Sequence, residues 1–259
     1  MKTMSTFDIF FTRNIPHILE KIFFALDFES YKKCTEVSNT WNELLSTESF
    51  KKRAKSVFKQ KISEDERTLL RKSKYGSYRA DPETVRKLIL SGLVDVNVAD
   101  ERGWTPLHHA ASARNTEVVR ILLDGGADPN KKSKCGDTPL NEAWWDCLGV
   151  VKLLLEAGAD PNWNGSDGMA PLHEAWNTDA VQILLDGGAD PNYRDSYGST
   201  PLHKAVKSCR KDLVQILLDG GALPDQVDDE GDTPYYLAAR LGYKDIYEII
   251  MGRFQLILK

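Results

Sequence analysis

Gly103-Trp104-Thr105-Pro106-Leu107-His108-His109-Ala110-Ala111, followed by Val118-Val119-Arg120-Ile121-Leu122-Leu123-Asp124-Gly125-Gly126-Ala127-Asp128-Pro129-Asn130, is one complete copy of a unit repeated to the C-terminus. Its Thr-Pro-Leu start at Thr105 recurs at Thr138, Ala170, Thr200 and Thr233, in steps of 33, 32, 30 and 33 residues. Its Gly-Ala-Asp-Pro-Asn end recurs from Gly158 and Gly188 and, altered, from Gly221. Self-similarity at such a period is the signature of a solenoid.

Threonine before proline supplies an N-cap and then a first-turn residue that needs no N–H partner. The spacing therefore predicts helices starting at Pro106, Pro139, Pro171, Pro201 and Pro234. A second helix follows with a Val-Val-x-Ile-Leu-Leu stripe, and the glycine that closes the stripe is expected to take the left-handed cap. Ala-Asp-Pro-Asn then leads into a turn. Nine of the eleven prolines fall in these two slots. Neither helix can bury its apolar face alone, so adjacent units must stack into one continuous core. The unit resembles the ankyrin repeat, whose Thr-Pro-Leu-His-x-Ala signature stands almost unchanged in three copies. The expected fold class is all-α: an ankyrin-repeat solenoid of helix pairs joined by short β-hairpin or turn connections, preceded by a small helical module.

Six repeats are expected, at 64–99, 100–132, 133–164, 165–194, 195–227 and 228–259. The first is degenerate. It reads as a polar helix from Glu64 to Lys74 and a second helix after Asp81-Pro82 with Val85, Leu88, Ile89 and Leu90 inward. The last places Tyr235-Tyr236 at the Leu-His slot and closes its core with Phe254, Leu256, Ile257 and Leu258. Atypical terminal repeats suit faces that meet something other than another repeat.

The 259 residues, 28% charged and 41% hydrophobic, are ordinary for a globular chain. The net charge of −4 is unevenly spread: residues 51–87 hold thirteen Lys or Arg against five Asp or Glu, which leaves −12 for the remainder. Because Lys51, Lys52, Arg53, Lys55, Lys59 and Lys61 are interspersed with Phe50, Val57 and Phe58, they read as a solvated helix face, and no nucleic-acid partner is expected. Cys34, Cys135, Cys147 and Cys209 show no Cys-x-x-Cys spacing, and Met1 to Phe11 lacks a signal-peptide core. Reduced thiols in a cytoplasmic or nuclear setting are expected, and no run approaches the ~20 apolar residues of a membrane span.

Upstream, Ile15, Ile18, Leu19, Ile22, Phe23 and Leu26 line one helical face, with Pro16 in its first turn. A break at Leu26-Asp27-Phe28-Glu29-Ser30 precedes a second helix carrying Val37, Trp41, Leu44 and Leu45. This stretch resembles the F-box, with the Val37-x-x-x-Trp41-x-x-Leu44 spacing as its clearest mark. Two departures stand out: Asn14-Ile15 where the family usually shows Leu-Pro, and Ser38 where cysteine is common. The organisation expected is a tail at 1–14, an F-box-like module at 15–50, a helical connector at 51–63 and the repeats. The resemblance implies that Ile15, Pro16, Ile18, Leu19, Ile22, Phe23, Val37, Trp41 and Leu45 dock a Skp-type adaptor, which joins a cullin-RING ubiquitin ligase. The array would then hold a protein substrate. Two alternatives are an ankyrin scaffold or inhibitor whose N-terminal helices merely cap the stack, and a symbiont or pathogen effector that mimics such a receptor.

No catalytic residue and no cofactor are expected, because the chain lacks a phosphate-cradling loop, a nucleophile elbow and a zinc-protease motif. His108, His173 and His203 share one slot, where the imidazole is expected to bridge backbone groups of neighbouring turns. Asn141 and Tyr236 occupy the same slot and no ligand partner lies at metal spacing, so no metal is expected. Substrate binding falls instead on the departures from the repeat. The fourth repeat is three residues shorter than the second between Ala175 and Asp179, and the third is one residue shorter. Both place tryptophan (Trp144, Trp176) where the unit has its second alanine. These either fill vacated volume or form an aromatic platform. Trp145 and Trp104 are expected at the surface. Trp104, Trp144, Trp145, Met169, Trp176 and Tyr197 are thus the candidate substrate-binding residues. Along the tips, charge changes from Lys131, Lys132 and Lys134 to Asp228, Asp229, Glu230 and Asp232, which would steer a partner of opposite gradient.

Overall fold

A computed structural model describes residues 64–69, 82–90, 94–143, 147–165 and 168–257, without the side chains of 254–257. The F-box-like stretch, the tail and the connector lie outside these residues, as do Trp144 and Trp145. The chain divides into two compact units. Of the described residues, 64–69, 86–90, 94 and 95 belong to the first, and 82–85 with everything from 96 onward to the second.

In the first unit, helix α1 (64–69) buries Leu69, and Asp95 N–H donates to Glu66 Oε1 at 3.1 Å. Helix α2 (Pro82–Leu90), whose first four residues belong to the second unit, buries Val85 and Leu88. Leu90, expected inward, is 72% exposed. It stands five positions past Val85, which at 100° per residue turns it off the buried face.

The second unit is a run of helix pairs. They are α3 (Pro106–Ser112) with α4 (Thr116–Asp124), α5 (Leu148–Glu156) alone, and α6 (Pro171–Glu174) with α7 (Thr178–Asp186). Then come α8 (Pro201–Lys207) with α9 (Lys211–Asp219) and α10 (Pro234–Arg240) with α11 (Lys244–Ile257). No strand occurs among the described residues, so the connections are turns. Second helices stack in register, α4 on α5, α5 on α7, α7 on α9 and α9 on α11. Their shared face carries Leu122, Leu154, Leu184 and Leu217, each nearly inaccessible to solvent. Leu107, Leu140, Leu172 and Leu202 form the matching buried row of the first segments.

The helix starts follow the Thr-Pro signal, with one exception. Thr105 and Thr200 make reciprocal capping boxes and Thr233 accepts from Tyr236 N–H, whereas Ala170 has no side chain to cap with. At Pro139 the expected helix is replaced by turns over 139–142. Glu142 N–H reaches Thr138 C=O at 3.3 Å, but the next bond, Ala143 N–H to Leu140 C=O, is already a tighter three-residue one. The nucleus forms and does not propagate.

From α3 to α10, every helix except α6 ends in the same motif. After α4, Gly126 N–H bonds to Leu123 C=O and Ala127 N–H to Leu122 C=O, the two bonds of a Schellman motif. The glycine that closes the stripe, Gly125, stays at φ −81°, and the left-handed residue is the following Gly126 at φ +85°. Gly158, Gly188 and Gly221 repeat this, and Ala157 stands where the first glycine is dispensable. First helices end likewise, with Arg114 (φ 59°), Cys209 (φ 53°) and Gly242 (φ 74°) as the left-handed residues. A Cβ on Gly188 would meet nothing within 4 Å, so Gly188→Ala tests backbone conformation alone and should cost about 1–2 kcal/mol. Cys209→Gly has the opposite sign: relief of that cost, less about 0.5–1 kcal/mol of glycine entropy, leaves a gain of about 0.5 kcal/mol. Urea unfolding of both variants checks the pair, and a destabilised Cys209→Gly protein would contradict it.

The Ala-Asp-Pro-Asn turns tie consecutive repeats edge to edge. Asn130 donates from Nδ2 to Gly158 C=O at 2.8 Å and accepts at Oδ1 from Asp160 N–H at 2.8 Å. Asn162 bridges to Gly188 and Asp190, and Asn192 to Gly221 and Leu223, in the same way. Asn97 begins the series by accepting from Asp128 N–H at 2.8 Å.

Candidate functional site

The histidine slot ties each repeat to the next. Thr105 N–H donates to His108 Nδ1 at 3.1 Å, so Nδ1 carries a lone pair and Nε2 carries the proton. That proton goes to Asp137 C=O, 3.1 Å away in the next repeat. His203 repeats the arrangement between Thr200 N–H and Asp232 C=O. His173 spans Ala170 C=O and Ser199 C=O at 3.3 and 3.1 Å. Asn141 imitates the imidazole: Oδ1 accepts from Thr138 N–H and Oγ1, and Nδ2 donates to Trp163 C=O. Burial, partly opposed by these bonds to carbonyls, holds His108, His173 and His203 below the usual imidazole range. Neutral His108 and His203, with Nδ1 accepting and Nε2 donating, are complete backbone bridges, as the spacing predicts, whereas a neutral His173 donates to only one of its two carbonyls at a time.

Four tip loops are each built on an Asp or Ser whose role in the turn sequence reasoning did not identify. Asp195 Oδ1 accepts from Tyr197 N–H at 2.9 Å and from Ser199 N–H at 2.8 Å. Asp228 does so from Glu230 and Asp232, Asp100 from Arg102 and Trp104, and Ser133 from Cys135 and Asp137. The signal was an Asp or Ser three residues before a tip glycine, an Asx-turn pattern. Burial would raise the Asp195, Asp228 and Asp100 carboxyls, yet all three lie below the ordinary range because donors converge on the carboxylate. Those donors include Lys204 for Asp195, at 3.0 Å, and His109 for Asp100. Asp228 also meets Lys207, and Asp232 meets Arg240. The acidic end of the expected charge gradient is thereby corrected: Asp228 and Asp232 are buried and paired inside the array, and Asp229 and Glu230 are what it shows to solvent.

The described aromatic candidates divide. Trp176 stands where repeats 2 and 5 bury Ala111 and Val206, yet it is 54% exposed. The chain leaves α6 at Ala175 (ψ 109°) after a single turn, which carries the indole out of the row. It does not fill the vacated volume. Tyr197 crowns its tip loop, 71% exposed. Met169 is half-buried, with its carbonyl accepting from Gly165 N–H. Trp104, expected at the surface, is half-buried: the Arg102 guanidinium covers it at 4.6 Å and the His109 ring tilts against it at 5.1 Å. A further tryptophan was missed. Trp163 donates from Nε1 to Gly136 C=O at 2.7 Å and lies 3.1 Å from the Lys132 ammonium, ring centroid to Nζ. Its place just after Ala-Asp-Pro-Asn made it look like loop. No three His, Cys, Asp or Glu side chains converge as a metal site among the described residues.

The family model described as "Ankyrin repeats (3 copies)" matches residues 75–164 and again 170–255. The chain is an ankyrin-repeat protein. The ankyrin array is similar to EF0377, an ankyrin repeat protein, at 27% identity and a TM-score of 0.62, over 66% of this chain and 92% of that one. It is also similar to the ankyrin repeat domain of Bcl-3, described as a member of the IkappaB protein family, at 31% identity and TM-score 0.60, over 66% and 77% of the two chains. Among curated proteins, mouse 2-5A-dependent ribonuclease is 36% identical over 80 residues, 30% of this chain and 10% of that one. Mouse protein phosphatase 1 regulatory subunit 12A is 43% identical over 65 residues, 25% and 6% of the two chains. The ankyrin chain thus spans a tenth or less of the length of these curated relatives, and the likeness concerns the repeats alone.

Proposed function

We propose that this ankyrin-repeat scaffold is the substrate-recognition adaptor of a Skp-cullin-F-box ubiquitin ligase. Residues 15–50 dock a Skp-type adaptor, and repeats 2–6 hold the protein to be modified through their tips and first helices. The observation that carries this reading is the coexistence, on one chain, of the F-box-like Ile18-Leu19-x-x-Ile22-Phe23 and Val37-x-x-x-Trp41 patterns with an ankyrin-repeat array. His108, His173 and His203 are spent on backbone bridges, and Trp176 and Tyr197 present large aromatic surface, the kind of residue that dominates interface energetics. Trp104, Met169, Trp144 and Trp145 complete the candidate capture surface. The chain performs no bond-making step. Its contribution is proximity, which makes the encounter of a substrate lysine with charged ubiquitin-conjugating enzyme effectively intramolecular.

Co-purification of the full chain with a Skp-type adaptor, followed by calorimetric titration, tests the proposal. One-to-one binding is expected, lost in an Ile18→Asp, Leu19→Asp variant that still melts cooperatively. A well-folded chain that fails to bind leaves an ankyrin scaffold with a helical cap and removes the ligase role.

A further inference from the structure

The ion pairs of the array are unevenly distributed. From 195 to 257 every described cation has a carboxylate partner: Lys204, Lys207, Arg210, Lys211, Arg240, Lys244 and Arg253 pair with Asp195, Asp228, Asp212, Asp245, Asp232, Glu248 and Asp219. The tips of repeats 2 and 3 are different. Arg102, Lys131, Lys132 and Lys134 are all exposed, and among the described residues none has an ion-pair partner. They form one cluster, because Lys134 N–H donates to Arg102 C=O at 3.0 Å and so sets the two tips side by side. Glu101 and Asp128, whose carbonyl accepts from Lys131 N–H, are the exposed carboxylates beside these four cations. Asp100, Asp137 and Glu142 are half-buried, with the Glu142 carboxyl pushed up by burial and by Asp137, partly opposed by Arg102.

Two of the four cations are held in place before any partner arrives. Arg102 lies on Trp104, whose backbone N–H is tied to Asp100, and Lys132 lies on Trp163, whose indole N–H is tied to Gly136. A cation resting on a locked aromatic ring keeps its charge and has already lost part of its rotamer freedom, so less entropy remains to be lost on binding.

We propose that the tips of repeats 2 and 3 form a docking site for an acidic, Asp/Glu-rich segment of the partner protein. The site rests on the reading of the array as a partner-binding scaffold and names the chemistry of what it holds. A short peptide suits the cluster better than a nucleic acid. The basic surface covers two tips only, and outside residues 51–87 the chain carries −12, including exposed Asp128, Asp160, Asp190, Asp229 and Glu230 along the array. A long polyanion reaching past repeat 3 would meet repulsion, whereas a peptide of a few carboxylates would not.

The test is fluorescence anisotropy of a labelled oligoglutamate peptide titrated with the full chain, beside an oligoglutamine peptide of equal length and a single-stranded oligonucleotide. Saturable oligoglutamate binding that weakens with salt is expected, with no binding of oligoglutamine. A Lys131→Gln, Lys132→Gln, Lys134→Gln variant should lose affinity about tenfold or more, since three contacts are removed together. An Arg120→Gln, Lys152→Gln variant, which removes exposed cations of the second helices, should retain it. Thermal melts confirm that both variants are folded. Equal binding to the wild type and the triple variant overturns the site, as does oligoglutamine binding. Tighter binding of the oligonucleotide, lost in the same variant, reassigns the cluster to nucleic acid and overturns the acidic-protein reading. Because the titration contains no Skp-type adaptor, its failure leaves the ligase proposal standing, and failure of adaptor binding leaves this one standing.

Discussion

Replacing Leu184 by alanine is expected to lower the unfolding free energy by about 2–5 kcal/mol, the range for emptying a fully buried leucine site. Leu184 is completely buried on α7, and it is also the residue whose carbonyl accepts from Ala189 N–H in the terminal Schellman motif. The backbone bond survives the substitution, so the loss reads packing alone. Repeat 4 is where such a loss is felt most. Its first helix is four residues long and starts from an alanine without a side-chain cap, so α7 carries most of the contact with the neighbouring repeats. Stability in a solenoid is close to a sum of repeat and nearest-neighbour contributions. Weakening the middle repeat should therefore broaden the urea transition or split it as well as shift it, and circular dichroism and tyrosine or tryptophan fluorescence should cease to coincide. A loss below about 1 kcal/mol with a single unchanged transition would show that α7 is not the link between the two halves.

Acidification from pH 7 to pH 5 is expected to destabilise the array through His108, His173 and His203. The folded-state pKa of each is lowered, with burial as the main cause. Above the unfolded value of 6.5 the rings are neutral in both states and their contribution is complete. Below it the unfolded chain takes up protons that the folded chain resists, and stability falls until the folded pKa values are reached. Each histidine contributes at most about 1.4 kcal/mol per pH unit, so three together reach about 4 kcal/mol per unit. His173 should contribute least, because a protonated ring could donate to both the Ala170 and the Ser199 carbonyls. The protein contains its own control. Asn141 fills the slot without titrating, so His203→Asn should keep most of the bonds and flatten the pH dependence. Urea titrations of wild type and variant at both pH values decide it, and an unchanged slope in the variant would remove His203 from the account. The depressed Asp100, Asp195 and Asp228 carboxyls act in a lower window, since their contribution is present above about pH 3.8 and lost as pH falls through their folded values.

What could be read in the letters was whatever one residue type does alone. Thr-Pro caps a helix by local chemistry, and Thr105, Thr200 and Thr233 do so here. A buried leucine every turn or so needs only the helical period. Where several residues decide jointly, the reading failed. Pro139 carries the same Thr-Pro-Leu signal as its neighbours, but whether the first turn propagates depends on residues further along a repeat that has lost one position. Arg114 and Cys209 take left-handed backbone angles without the glycine that would have announced them, because two Schellman bonds fix the geometry around them. Acidic residues at the tips look like solvated charge, and only the folded loop shows Asp228 and Asp232 turned inward. Trp163 was invisible because its two partners, Gly136 and Lys132, lie about one repeat back. Trp176 and Tyr197 could therefore be picked out in the letters as candidates, but the electrostatics of the tips could not.

The loss of three residues between Ala175 and Asp179 has a consequence for how such an array can change. The Pro-Leu-His turn with its backbone bridge, the leucine row of the second helix and the asparagine edge all persist in repeat 4, although Ala170 has replaced the capping threonine and α6 has been cut to a single turn. Those three features hold the pitch of the stack, and the end of the first helix does not. That junction behaves as an exchangeable cassette: its length can be edited in whole residues while register is conserved above and below. Diversity inserted between Glu174 and Thr178 would rework the surface offered to a partner and leave the scaffold that presents it untouched.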